Sequence, residues 1–172
     1  MYVETTTEIT EPLTVEQVKD HLRVTHNHED QLLNRYAIAA REQCEAMTGR
    51  AFGERGLKTT FTFDGDTPNI ELPYPPLTSV QTVEVNGEPA TYEALEGDGA
   101  IVIIKSDLNR GDEVHIAWTA GDPVPKRATL AMLELVASWD VYRSSVTGER
   151  VRIVPHGVDR LLGTLRTWGD VA

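Results

Sequence analysis

Three histidines crowd an early stretch of the chain: His21, His26 and His28, with Glu29 and Asp30 beside them. The His26-x-His28 pair has the residue types to hold a divalent cation. A working site, however, needs three or four converging ligands with second partners behind them. The segment VTHNHED is a polar turn whose side chains face water on any reading, so a solvated loop is expected there. Cys44 is the only cysteine. It falls at a core-facing position of a helical pattern, whereas a nucleophilic thiol wants a helix N-terminus or a histidine partner. It therefore reads as a small buried hydrophobe. His115, in V-H-I-A-W, alternates against Val114 and Ile116, which puts it on the less buried face of a strand. As a general base it would need a nucleophile beside it, and the sequence nominates none. Asp64 and Asp66, in F-D-G-D-T, lack the closing glutamate of a calcium loop, so a hairpin turn is expected. No phosphate-cradling G-x-x-x-x-G-K-[ST], dinucleotide G-x-G-x-x-G or nucleophile-elbow G-x-S-x-G occurs in the chain. The aromatic residues are too scattered for a base-stacking platform. On this chemistry the chain is expected to be no enzyme, with no metal and no cofactor.

The elements that would position these residues are legible from periodicity. Residues 1–12 alternate weakly and are rich in threonine, so they read as an extended arm, poorly ordered by itself. Thr14 with Gln17 three residues on forms a capping box, and Leu13 is placed to staple onto Val18. The spacing predicts a helix over about 15–23. A longer helix over about 29–48 follows, with Leu33, Tyr36, Ala40, Cys44 and Met47 at helical spacing and Gly49 as its stop. Over about 57–118 the period shortens to that of strands, with Asn86-Gly87 as a type I′ hairpin signal. Asp122 as cap and Pro123 at the first helical position begin a mostly apolar helix over about 123–143. A loop, 144–156, and a last helix over about 157–168 complete the pattern. The expected class is α+β: a small bundle of about four helices interrupted by an antiparallel β insertion, with residues 13–172 as a single domain behind the arm.

Composition narrows the function classes. The 172 residues carry 27 acidic and 16 basic side chains, a formal net charge of −11. Tight duplex binding goes with the opposite sign, because it proceeds by counterion release from phosphate. Residues 1–122 hold net −13 and residues 123–172 net +2, which suggests different neighbours for the two ends. One cysteine excludes an intrachain disulfide framework. No run of eighteen apolar residues occurs, so no membrane partner is expected, and MYVETTTEIT lacks the basic and apolar regions of a signal peptide.

Several segments together resemble a known family. E-P-L-T-V-E-Q-V-K-D-H-L-R-V (11–24) is followed by H-E-D-Q-L-L (28–33) and A-A-R-E-Q-C-E-A-M-T-G-R (39–50). Then come L-P-Y-P-P-L-T-S-V (72–80), W-T-A-G (118–121), P-K-R-A (125–128) and V-P-H-G-V-D-R-L-L (154–162). In order and spacing the chain resembles the head–tail connector (adaptor, head-completion) proteins of long-tailed phages, proviruses and gene transfer agents. The resemblance implies a structural protein of the virion neck, made in the bacterial cytoplasm. It also implies a ring, commonly of twelve copies, beneath the portal protein. A tail-side stopper or tail-terminator would dock on it, and DNA would pass through its lumen without sequence-specific binding. The alternatives are a monomeric binding module or assembly chaperone, and a small hydrolase. Residues 144–172 are the expected portal-docking element, through Arg150, Arg152, Val158, Leu161, Leu162, Leu165 and Trp168. A greasy final helix weakened by Gly157 and Gly163, at about 1 kcal/mol per mid-helix glycine, suits redocking on a partner. The competing expectation is that this helix closes the subunit's own core.

Overall fold

Local capping decides where the helices begin and end. The computed structural model describes residues 2–144 and 156–166. In α1 (Val15–Leu22), the Gln17 amide donates to Thr14 Oγ1 at 3.2 Å and the Thr14 amide donates to Gln17 Oε1 at 2.9 Å. This is the reciprocal pair that T-x-x-Q forecasts. Leu13 and Val18 are both buried in one apolar cluster. The helix stops on Arg23 at φ 58°, a left-handed cap with no glycine to announce it. α2 (Asp30–Thr48) stops where expected, at Gly49, whose φ is 71° and whose amide donates to the Glu45 carbonyl at 2.8 Å.

α3 (Lys126–Ser144) begins later than the sequence suggests. The expected cap, Asp122, lies outside the helix: its carbonyl accepts from Thr78 Oγ1 at 3.2 Å, tying it to a strand. The helix is led in by Pro125, whose carbonyl receives the Ala128 and Thr129 amides. Two prolines stand near this boundary, and the tertiary tie on Asp122 selects the second. α4 (His156–Leu162) is shorter than the expected 157–168, because it gives way at Gly163 to a turn closed by the Leu165 amide on the Leu162 carbonyl. Gly163 carries the weak helix propensity expected of it.

The strands are β1 (Tyr2–Thr5), β2 (Arg55–Thr62), β3 (Asn69–Glu71), β4 (Leu77–Val85), β5 (Glu88–Pro89), β6 (Tyr92–Leu95), β7 (Ile101–Ile104) and β8 (Glu113–Ala120). They form an antiparallel five-stranded sheet, β1-β2-β8-β4-β5, and a three-stranded sheet, β3-β7-β6. β8 alternates as a half-buried strand must, with Val114, Ile116, Trp118 and Ala120 buried between less buried His115, Ala117 and Thr119. Asn86 (φ 53°) and Gly87 (φ 81°) make the expected two-residue turn between β4 and β5. Asp64 and Asp66 do form a turn, the Asp66 amide donating to Asp64 Oδ1 at 3.1 Å. It is no hairpin, however, because the strands on either side belong to different sheets.

The amino-terminal arm is extended, but it is not loose. β1 pairs in full with β2, Thr59 Oγ1 donates to the Tyr2 carbonyl at 2.6 Å, and the Gly56 amide donates to Thr7 Oγ1 at 2.7 Å. Gly56 lets the arm lie close: a Cβ there would lie 2.6 Å from Thr6 Oγ1, so a larger residue would have to displace that side chain. The partner strand lies some fifty residues away, so the arm's own composition says nothing of this order.

The chain divides into two compact units. Residues 2–10 and 53–123 form the β unit; residues 11–52, 124–144 and 156–166 form the helical unit. In the helical unit, Leu33, Ala37, Ala40 and Cys44 of α2 meet Ala131, Met132, Leu135 and Val136 of α3, with the Tyr36 and Trp139 rings edge to face at 5.9 Å.

One buried cation organises this unit. Arg41 is 3% exposed. Its Nε donates to Glu11 Oε2 at 2.9 Å and its Nη1 to Glu45 Oε2 at 2.8 Å. The other oxygen of Glu45, Oε1, accepts the Phe52 amide at 2.7 Å. Burial pulls the Arg41 pKa down, and the bonds and charges of Glu11 and Glu45 more than offset it, so the net shift is upward.

Arg41→Ala is expected to lower the unfolding free energy by about 3–5 kcal/mol, since it strands two carboxylates around a buried gap. The exposed Arg35→Ala is expected to stay within about 0.5 kcal/mol; urea unfolding of the two variants checks the contrast. A pH effect is expected at the β4–β5 turn. The Asp112 carboxylate accepts from Asn86 Nδ2 at 2.9 Å and from the Asn109 amide at 2.7 Å, and these bonds hold its pKa below the usual aspartate range. A carboxylate with a depressed folded pKa contributes stability present above its unfolded value and lost as pH falls through the folded one. Amide exchange at Gly87 and Glu88 is therefore expected to rise relative to β8 in acid, and Asp112→Asn is expected to remove that pH dependence.

Candidate functional site

The described part of the docking element expected at the C-terminus is α4 with its following turn. Val158 and Leu162 are fully buried and Leu165 is 9% exposed, all within the core of the helical unit. Leu161 is partly buried against the same cluster. The apolar residues that suggested a redocking helix thus fill the subunit's own core. What α4 and its turn leave in water is polar: Asp159, Arg160, Thr164 and Arg166. Arg166 Nη2 lies 3.5 Å from Asp159 Oδ1, and Arg127 of α3 donates to Thr164 Oγ1. Arg150, Arg152 and Trp168 lie outside the described residues.

The histidine cluster does not converge. His26 and His28 are exposed with ring centroids 5.6 Å apart, and Asp30 is drawn to Lys19 Nζ at 2.9 Å, which also donates to Asn27. Among the described residues no three histidine, cysteine, aspartate or glutamate side chains are grouped to hold a metal ion. Cys44 is buried, and burial followed by the Glu45 charge pushes its thiol up to about 12, so it stays protonated at neutral pH.

His115 has a neighbour that sequence reasoning missed. Its cross-strand partner is Thr60, whose Oγ1 lies 2.8 Å from His115 Nδ1, while Glu113 Oε2 lies 3.3 Å from Nε2. The signal was available in principle, because two strands with one register bring Thr60 and His115 opposite each other. The trio has the connectivity of a hydroxyl, base and carboxylate relay. Its setting differs from a hydrolase site: Thr60 sits on β2, flanked on both sides by β1 and β8, so its backbone amide belongs to a ladder and is not free to stabilise an oxyanion. The histidine side chain is 39% exposed on a strand face, where the trio serves as a cross-strand polar contact.

Two shallow polar grooves open on the β unit. One, of about 300 Å³, is lined by residues that include Asp64, Asp66, Asn69 and Glu71; the other, of about 280 Å³, by Thr7, Glu8, Glu54 and Gln81 among others. Neither has the enclosed apolar lining of a small-molecule site. No helix among the described residues is long and apolar enough to cross a membrane. The more conspicuous surface features are exposed apolar side chains: Tyr2 at 80%, Val141 at 59%, Leu95 at 45% and Leu130 at 43%.

A family model described as head completion protein matches residues 11–156. No curated protein sequence matches the chain. Among solved structures, a chain from the neck of an empty gene transfer agent particle computed with C6 symmetry is similar at TM-score 0.77 and 22% identity, covering 99% of this chain and 98% of that one. A chain from the virion of a native gene transfer agent particle matches at TM-score 0.76 and 22% identity, with the same coverage. One from the neck of a native particle computed with C12 symmetry matches at 0.73 and 21%. At these identities the likeness is one of fold, and it runs through both units.

Leu162→Ala is expected to destabilise the isolated chain by about 2–5 kcal/mol through the cavity it leaves, whereas the exposed Arg160→Ala is expected to change stability by no more than about 0.5 kcal/mol. Denaturant midpoints of the two variants separate a core side chain from a surface one.

Proposed function

The chain belongs to the head completion protein family, and from that premise we propose that it is the head–tail connector of a phage or phage-like particle, a structural component of the neck. The observation that carries this reading is the family match across residues 11–156, which takes in α1, α2, the bulk of the β unit and α3 together. The shared fold with gene transfer agent neck chains supports it. In this reading twelve copies, the number common in the family, form a ring beneath the portal protein and present a surface to a tail-side stopper or terminator.

The charge is suited to that task. Twelve chains at −11 each would carry on the order of −130 charges, a field that repels DNA and favours transit over gripping. The portal contact is assigned to residues 144–172, where the sequence turns net basic. With Val158, Leu162 and Leu165 committed to the core, the docking surface on the described part is polar, with Arg160 and Arg166 exposed on it. The role is architectural, without catalysis or a cofactor.

Particles assembled without this chain are expected to appear in micrographs as filled or leaking heads lacking tails, and normal tailed particles would overturn the reading. Reversing charge at Arg160 and Arg166 together is expected to reduce co-sedimentation with portal-bearing heads several-fold while leaving the thermal midpoint of the isolated chain in place.

A further inference from the structure

The outer faces of the two long helices match each other in charge order and in spacing. On α3, Lys126, Leu130 and Glu134 recur four residues apart on the side opposite the buried Ala131, Met132, Leu135 and Val136. Leu130 is 43% exposed, and Val141, further along this face, is 59% exposed. Leu130 is thus an exposed apolar side chain set between two charges of opposite sign. On α2, Arg35, Ala39 and Glu42 lie on the side opposite the buried Leu33, Ala37, Ala40 and Cys44, and all three are exposed. Glu42 is 66% exposed, 3.7 Å from Arg41. Lys126, Glu134 and Arg35 make no ion pair among the described residues.

Along α3 the order is positive, apolar, negative. Along α2 it is positive, small, negative. Laid antiparallel, Lys126 falls opposite Glu42, Leu130 opposite Ala39, and Glu134 opposite Arg35. The lengths agree as well. Lys126 to Glu134 is about 12 Å and Arg35 to Glu42 about 10.5 Å at 1.5 Å per residue. A leucine over an alanine lets the helices approach closely, as ridges-into-grooves packing requires.

We infer that α3 of one copy docks antiparallel on α2 of the next, with Leu130 seated over Ala39 between the Lys126–Glu42 and Glu134–Arg35 ion pairs. The inference deepens the ring reading above and rests on it. Because the two faces differ, the contact is head-to-tail. Such a contact repeats from copy to copy and ends only when a ring closes. It also answers a problem that net charge sets: subunits at −11 repel, so neighbours need local complementarity where they touch.

The test is a chain carrying both Leu130→Cys and Ala39→Cys, oxidised within assembled particles. Cys44 is buried with its thiol pushed up to about 12, so it does not compete. The expected result is a non-reducing ladder extending past the dimer, whereas each single variant gives no ladder. Separately, Glu134→Arg and Arg35→Glu are each expected to lower the number of copies retained per particle several-fold, and the double reversal to restore it. If microscopy shows a ring of this chain but no ladder forms and the reversals leave copy number unchanged, the helix-to-helix contact is wrong and the ring reading stands. If the particles hold a single copy of the chain, the ring reading fails and the inference with it.

Discussion

A buried guanidinium cannot be left without counter-charge, and that constraint shapes the helical unit. Arg41 draws in Glu11 from the segment ahead of α1 and Glu45 from its own helix, one turn on. Glu45 in turn takes the amide of Phe52. Glu11 and Phe52 are the residues at which the chain enters the helical unit from β1 and leaves it toward β2. One network therefore ties together the two ends of the 11–52 segment within the helical unit. The interior of a low-dielectric core makes each bond in it directional, because a misplaced carboxylate there would lose water without gaining a partner.

From that anchor the rest of the helical unit follows by packing. α2 lies with its small residues, Ala37, Ala40 and Cys44, toward the core, which lets α3 approach with its bulkier Met132, Leu135 and Val136. α4 adds Val158 and Leu162. A core closed in this way leaves the outer faces of α2 and α3 exposed, and the large apolar side chains that this unit leaves in water among the described residues, Leu130 and Val141, lie on α3. In the connector role proposed above, rigid helices with patterned outer faces are a suitable scaffold.

The β unit obeys a different logic. β8 lies between β2 and β4, and its alternating side chains bury Trp118 and its neighbours on one face. The other face carries the Thr60, His115 and Glu113 contact, which looks like catalytic machinery only when its strand setting is ignored. Thr60 pairs with β1 on one side and β8 on the other, so its own amide is committed to the ladder.

The local grammar of the chain was readable in advance. The capping box at Thr14, the stop at Gly49, the Asn86-Gly87 turn and the period change to strands all depend on interactions within a few residues, and each is where the sequence puts it. The burial of Cys44 and the exposed setting of His115 were legible for the same reason, as periodicity alone orients them. What tertiary structure decided involved partners far along the chain. Thr78 holds Asp122 and so moves the start of α3. β2 captures the arm that looked loose. Thr60 meets His115. The core absorbs Val158, Leu162 and Leu165, which by hydropathy alone were equally suited to a partner. Hydrophobicity says that a side chain must leave water. It does not say whether its own chain or another will cover it, and only the packed structure makes that choice.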